Sequence, residues 1–255
     1  MADDRTDAPA GLEGRRLLVV GASSGIGRAV ALAACRAGAA VVAAARRADR
    51  LAEVVSEAMT DGGDAHAHTR DVADPAVARQ LPGDAAAILG GLDAVVYSAG
   101  VAPLAAVSAA SADEWRRVLD TNVVGAAMVA AGALAPLQAG VTADGPRPVL
   151  VLLSSHTVPR PWPGLTVYAA SKAALEAMAR GLRREEPWLR VLTVIVGNTA
   201  TGFADGWDPE AMGPAFERWS AEGDYDGTVS SAEATAGGVL GALADEGGPD
   251  EVALT

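Results

Sequence analysis

The sequence predicts an α/β protein: a single-domain, Rossmann-type, doubly wound parallel sheet of about seven strands with helices on both faces. Three observations predict it. Short apolar runs that read as buried strands alternate with helical patterns along the chain. A glycine-rich turn joins the first strand to the first helix. No linker composition and no repeat at solenoid periods divides the 255 residues, so 15–255 reads as one domain.

Composition narrows the function classes. Half the residues are hydrophobic and only 4% aromatic, which suits helices packed tightly on a sheet. The net charge of −12 argues against a nucleic-acid or anionic-membrane partner. It leaves room for a phosphate-bearing cofactor, which needs only backbone donors and local positive charge. The lone cysteine, Cys35, excludes an intrachain disulfide and reads as small core filler. Residues 1–14 are polar, lack the apolar core of a signal peptide and read as a disordered arm. No uninterrupted apolar run reaches the roughly 18 residues of a membrane span. A cytoplasmic location is expected.

In chain order, residues 16–20 form a short apolar strand that runs into Gly21, Ser23, Ser24, Gly25, Ile26 and Gly27, followed by a helix over 28–37. Strand, glycine turn and helix N-terminus make a phosphate cradle, because glycine lets the backbone approach a ligand and the helix offers free amides. The spacing is GxxxGxG. A second strand covers 39–45. Arg46 and Arg47 follow it, where an acidic residue would bind the ribose of NAD and arginine suits the extra phosphate of NADP. NADP(H) is therefore preferred, with NAD(H) possible; the alternative is two solvated arginines opening the helix 49–60.

A weak third strand, 64–69, carries His66 and His68 as ordinary strand residues, with no metal-ligand cluster beside them. It ends near Asp71 and Val72, and Asp71 is placed to touch an adenine ring or to cap the next helix, 75–89. A fourth strand over 92–97 turns off through Ser98, Ala99 and Gly100. Ser111 to Glu114 reads as a capping box opening a long helix towards Pro136. Asn122 lies inside it, and a buried amide either braces the fold or serves a site.

Residues 149–153 form a fifth, buried strand, with Ser155 just beyond it. Tyr168 and Lys172 sit four residues apart at the start of the next helix, on one face. A phenol with a pKa of about 10 is a poor proton donor at neutral pH. A nearby ammonium lowers that value, and a serine hydroxyl steadies charge on the same oxygen. The other reading is a chance Tyr and Lys on an ordinary helix. A sixth strand, 190–196, leads to Gly197, Thr199 and Thr201. The irregular stretch 197–228 holds five of the ten aromatic residues, including Phe203 and Trp207. Ser230 to Glu233 reads as a second capping box, and 251–254 as a closing strand.

With these motifs in order, residues 15–254 resemble the short-chain dehydrogenase/reductase family. Gly21, Gly25 and Gly27 match its glycine turn, Ser155, Tyr168 and Lys172 its catalytic serine and Tyr-x-x-x-Lys, and Asn122 the asparagine that completes a tetrad. Tyr97 to Gly100 match an Asn-Asn-Ala-Gly segment and Gly197 to Thr201 a Pro-Gly segment. Val20, Tyr97, Ser98 and Val196 depart from the family's threonine, two asparagines and proline; none is a reacting group. The resemblance implies hydride transfer between a nicotinamide and an alcohol or ketone. In it Tyr168 exchanges the proton, Ser155 holds the oxygen, Lys172 binds the ribose and lowers the pKa of Tyr168, and Asn122 holds a water. It also implies a lid at 197–228 over a small, apolar substrate, with Trp162, Phe203 and Trp207 as walls, and a homodimer or homotetramer. Two other classes share the fold: a non-catalytic dinucleotide sensor, and an epimerase or dehydratase that returns its cofactor unchanged.

Overall fold

The computed structural model describes residues 11–142 and 145–254. The first half runs β1 (Arg16–Val20), α1 (Gly25–Arg36), β2 (Ala40–Ala45), α2 (Ala48–Thr60), β3 (Asp64–Thr69), α3 (Pro75–Leu89) and β4 (Ala94–Tyr97). Next come α4 (Ala112–Leu119), a π-helical turn (Asp120–Val124), α5 (Gly125–Ala139), β5 (Val149–Ser155), α6 (Thr166–Glu185) and β6 (Arg190–Val196). The chain closes with β7 (Thr199–Ala200), a 3₁₀ turn (Gly202–Ala204), α7 (Pro209–Ala221), β8 (Ser230–Ser231), α8 (Ala232–Ala244) and β9 (Glu251–Leu254).

Seven parallel strands form the main sheet in the order β3-β2-β1-β4-β5-β6-β9. Alternate residues of each strand face opposite layers. Leu17, Val19, Val41, Leu192 and Val194 pack with Val30 of α1 and Leu240 of α8. Leu18, Val20, Val42, Leu150 and Val191 pack with Leu81, Val129, Leu137 and Leu175 from α3, α5 and α6. Strands buried on both faces explain the continuous apolar runs in the sequence. The strand order reverses between β1 and β4, and the crevice outside the carboxyl ends at such a point is where doubly wound sheets bind ligands.

Several expectations need correction. Of the arm expected over 1–14, residues 1–10 lie outside the described residues, and Leu12 has no exposed surface and packs in the α1 layer. The long helix from Ser111 is one rod over 112–139, widened in the middle by the π turn. An 18-residue window of it averages a hydropathy of 1.6, long and apolar enough to cross a membrane by length and composition alone, although no uninterrupted apolar run reaches that length. In this fold that rod packs against α3 and α6, and Gly132 is so close to the Arg79 carbonyl that a Cβ would collide with it. The irregular stretch 197–228 contains α7, hidden in the sequence by Gly213 and Pro214; Asp208 caps it and Pro209 fits its first turn. The last helix is capped by Ser231, whose hydroxyl accepts from the Ala234 amide, so the expected box with Glu233 does not form.

Candidate active site

One cleft of about 630 Å³ opens at the carboxyl ends of the strands. Its cofactor end is built by the glycine turn. Gly21 adopts φ +88° and lies against the turn after β4, where a Cβ would sit 2.6 Å from the Ala99 amide nitrogen. Gly27, under the turn, faces the Gly21 carbonyl with no room for a side chain. The sequence supplies glycine where backbone meets backbone. Every cofactor residue expected above lines the cleft except Gly27. Arg47 reaches over the turn, donating to Ser24 Oγ at 2.7 Å and Ser23 Oγ at 3.1 Å. Asp71 accepts from the Ala73 amide, and Asp74, not Asp71, caps α3.

The other end lies between β5 and α6. Ser155, at the end of β5, is buried and shares a hydrogen bond of 3.0 Å with the Thr157 hydroxyl. Tyr168 is half-buried and Lys172 buried, one turn apart on α6. The ammonium donates to the Leu153 carbonyl at 2.7 Å and stands 5.6 Å from the centre of the Tyr168 ring. Burial pushes the Tyr168 phenol up to about 12, and the Ser155 hydroxyl opposes that shift. Burial also pulls Lys172 down to about 8. The expected lowering of Tyr168 by Lys172 is therefore not seen: desolvation dominates both groups, and the ammonium spends its hydrogen bond on β5.

Asn122 has no exposed surface, and three hydrogen bonds hold its side chain. Its Oδ1 accepts from the Val101 amide at 2.8 Å, and its Nδ2 donates to the Val101 carbonyl and to Ser171 Oγ, each at 2.9 Å. These contacts brace the fold, and both amide hydrogens are committed to protein partners.

The aromatic residues of the lid form a cluster rather than two facing walls. Trp162, from the loop before α6, packs against Trp219 with ring centres 4.9 Å apart and against Tyr225 at 6.3 Å. Trp207 donates its indole N–H to the Ala102 carbonyl and Trp219 to the Pro163 carbonyl. These indoles pin the lid to the body. Phe203 is the exposed member, 39% accessible, edge-on to Tyr168 at 5.1 Å. Arg160 clasps the far end of the lid, bonding the Glu222 carbonyl and pairing with the buried Asp224. Of the lid's carboxylates only Asp205 lines the cleft. Sequence reasoning passed over Thr157, Ser171 and His156, whose ring lies 5.0 Å from Trp162 and whose Nδ1 bonds the Val196 carbonyl. Thr157 and His156 adjoin Ser155, and Ser171 adjoins Lys172; adjacency was the available signal.

A family model described as short chain dehydrogenase matches residues 15–211, more than half of the chain. The chain belongs to the short-chain dehydrogenase family. Among curated relatives, a glycine betaine reductase of Emericella nidulans is 38% identical over 192 residues, 74% of this chain, which spans 15% of that protein's length. Versicolorin reductase of the same organism is 35% identical, covering 67% of this chain and 63% of that protein. A short chain dehydrogenase from Burkholderia cenocepacia, solved in complex with NADP, superposes with a TM-score of 0.79 at 27% identity, covering 96% of this chain and 97% of that one. By that membership the chain is an oxidoreductase.

The burial of Lys172 has a signed consequence. With its pKa lowered from 10.5 to about 8, the folded state releases a proton that the unfolded state still holds between those values. Stability contributed by this group therefore rises with pH across that window. The raised Tyr168 works in the opposite direction only above pH 10. Relative to Lys172→Met, the cofactor-free wild type should gain stability from pH 8 to 10, by up to about 1.4 kcal/mol per pH unit. Denaturant titrations at several pH values measure it; parallel curves for the two proteins would contradict the assigned burial.

Proposed function

We propose that this short-chain dehydrogenase is an NADP(H)-preferring reductase of apolar ketones, with Tyr168 as the proton donor. The observation that carries the reading is the placement of Tyr168, Lys172 and Ser155 in the cleft that also holds the glycine turn and Arg47. The residues fit a dinucleotide: the close approach of Gly21 to Ala99 leaves a bare backbone cradle, and Arg46 and Arg47 supply positive charge beside it. When bound, the nicotinamide supplies the hydride that reduces the carbonyl carbon. Ser155 holds the substrate oxygen, and Tyr168 delivers a proton to it. Burial keeps the Tyr168 phenol protonated at neutral pH, so the proton to be delivered is in place. Lys172 holds the cofactor ribose from the floor of the cleft and adds positive charge beside the phenolate that forms.

Phe203 and the indole cluster support an apolar substrate larger than a short-chain alcohol. A panel of ketones graded in bulk and charge should show NADPH oxidation at 340 nm with kcat/KM rising with apolar bulk. Tyr168→Phe should lower kcat by roughly 100-fold or more while NADPH affinity stays within a few-fold. Retained activity in that variant would overturn the proton-donor role; tight NADPH binding with no turnover of any ketone would favour a sensor.

The cofactor choice rests on charge. Replacing both Arg46 and Arg47 with neutral residues should erase the preference for NADPH, since a charge-assisted contact contributes about 1.5–3 kcal/mol. Equal wild-type affinity for NADH would count against the assignment.

Self-association is the remaining part of the reading. The rod 112–139 and α6 keep partly exposed Ala and Met side chains, and oligomers of a single chain are usually closed and symmetric. Light scattering at micromolar concentration should give a multiple of 25.6 kDa; a monomer would refute it.

A further inference from the structure

We propose that Tyr97 is a positioning residue: its hydroxyl fixes the π turn that aims Asn122 at the cofactor cleft and at the helix bearing Tyr168. The proposal rests on the catalytic reading above and adds a residue that touches neither substrate nor cofactor.

Tyr97 ends β4 with 1% of its surface exposed, and its hydroxyl donates to the Thr121 carbonyl at 2.5 Å. Thr121 lies in the π turn, where the Gly125 amide reaches back five residues to the Asp120 carbonyl. Such a turn holds an extra residue and is costly without support, so it needs a local cause. Two causes are present. Gly125 has no side chain, and a Cβ there would lie 2.7 Å from the Tyr97 hydroxyl and 2.6 Å from the Val72 carbonyl. The hydroxyl fills that space and bonds the turn. A phenol held this dry stays neutral and remains a donor at every working pH.

The next residue is Asn122. Its amide brackets Val101, which lines the cleft beside Gly100, and donates to Ser171 Oγ. Ser171 in turn donates to the Tyr168 carbonyl at 2.6 Å. A continuous set of buried contacts therefore runs from the end of β4, through the π turn, to the backbone of the proton donor. A widened turn set one way puts Asn122 between both targets; a regular α-turn would rotate it by the angle of one residue.

Tyr97→Phe removes one oxygen and keeps the ring, so the fold should persist with a modest loss of melting temperature. A core control, Leu81→Val in α3, gives a comparable loss of stability away from the site. If Tyr97 positions the site, Tyr97→Phe should lower kcat roughly 10-fold, since small misplacements of reacting groups are costly. It should also weaken NADPH binding several-fold and speed amide exchange at 99–101, while Leu81→Val changes none of these. NADPH affinity and amide exchange need no substrate, so they test the positioning role even if no ketone is turned over. Tyr168→Phe tests the catalytic reading separately, because it should leave NADPH affinity and exchange at 99–101 near wild type. The proposal is overturned if Tyr97→Phe loses stability as the control does, with kcat, NADPH affinity and exchange all unchanged.

Discussion

The arrangement of this site depends on one buried amide. Asn122 makes three hydrogen bonds from a position with no access to water, and together they tie two parts of the fold. Two hold the segment that leaves β4 and lines the cofactor cleft. The third reaches Ser171 on α6, one residue from Lys172. An amide buried without partners would cost several kcal/mol in an apolar environment, so the turn that carries it must keep all three satisfied. That constraint explains the π geometry, the glycine at 125 and the tyrosine at 97 together.

Burial sets the electrostatics in the same way. Tyr168 and Lys172 lie close enough to interact, yet desolvation moves their pKa values in opposite directions, both towards the neutral form. The ammonium is compensated by a single carbonyl on β5. A buried lysine with one contact is a stability cost, and such a cost is retained where charge is needed for binding or chemistry. The site is poised with the phenol protonated and the amine near its titration point.

The segment 197–228 shows how aromatic residues can hold a structure and shape a pocket at once. The indoles of Trp207 and Trp219 bury their rings and spend their N–H groups on backbone carbonyls of the body. Trp162 lies between lid and body, and Arg160 with the buried Asp224 closes the far end. This leaves Phe203 to face Tyr168. The acidic character of the segment is mostly turned to caps and ion pairs outside the cleft, as with Asp208, Glu222 and Asp226.

Much of this was legible in the residues. The alternation of apolar runs and helical patterns gave the sheet, because strands buried on both faces must be apolar throughout. Gly21, Gly25 and Gly27 marked the cradle, and the spacing of Tyr168 and Lys172 put both on one face of a helix. Those are local properties, carried by neighbouring residues. The helix at Pro209–Ala221 was hidden because Gly213 and Pro214 lower helix propensity, while packing of Trp219 against Trp162 supplies what propensity lacks. The burial of Leu12, the commitment of Asn122, the bond of Lys172 to Leu153 and the meeting of Tyr97 with the π turn were decided by tertiary structure alone. Each joins residues far apart in the chain, and desolvation, which governs the pKa values of Tyr168 and Lys172, exists only once the surrounding layers have closed. The sequence determined which groups are present and which elements carry them; the packed fold determined what each group touches and how much water it keeps.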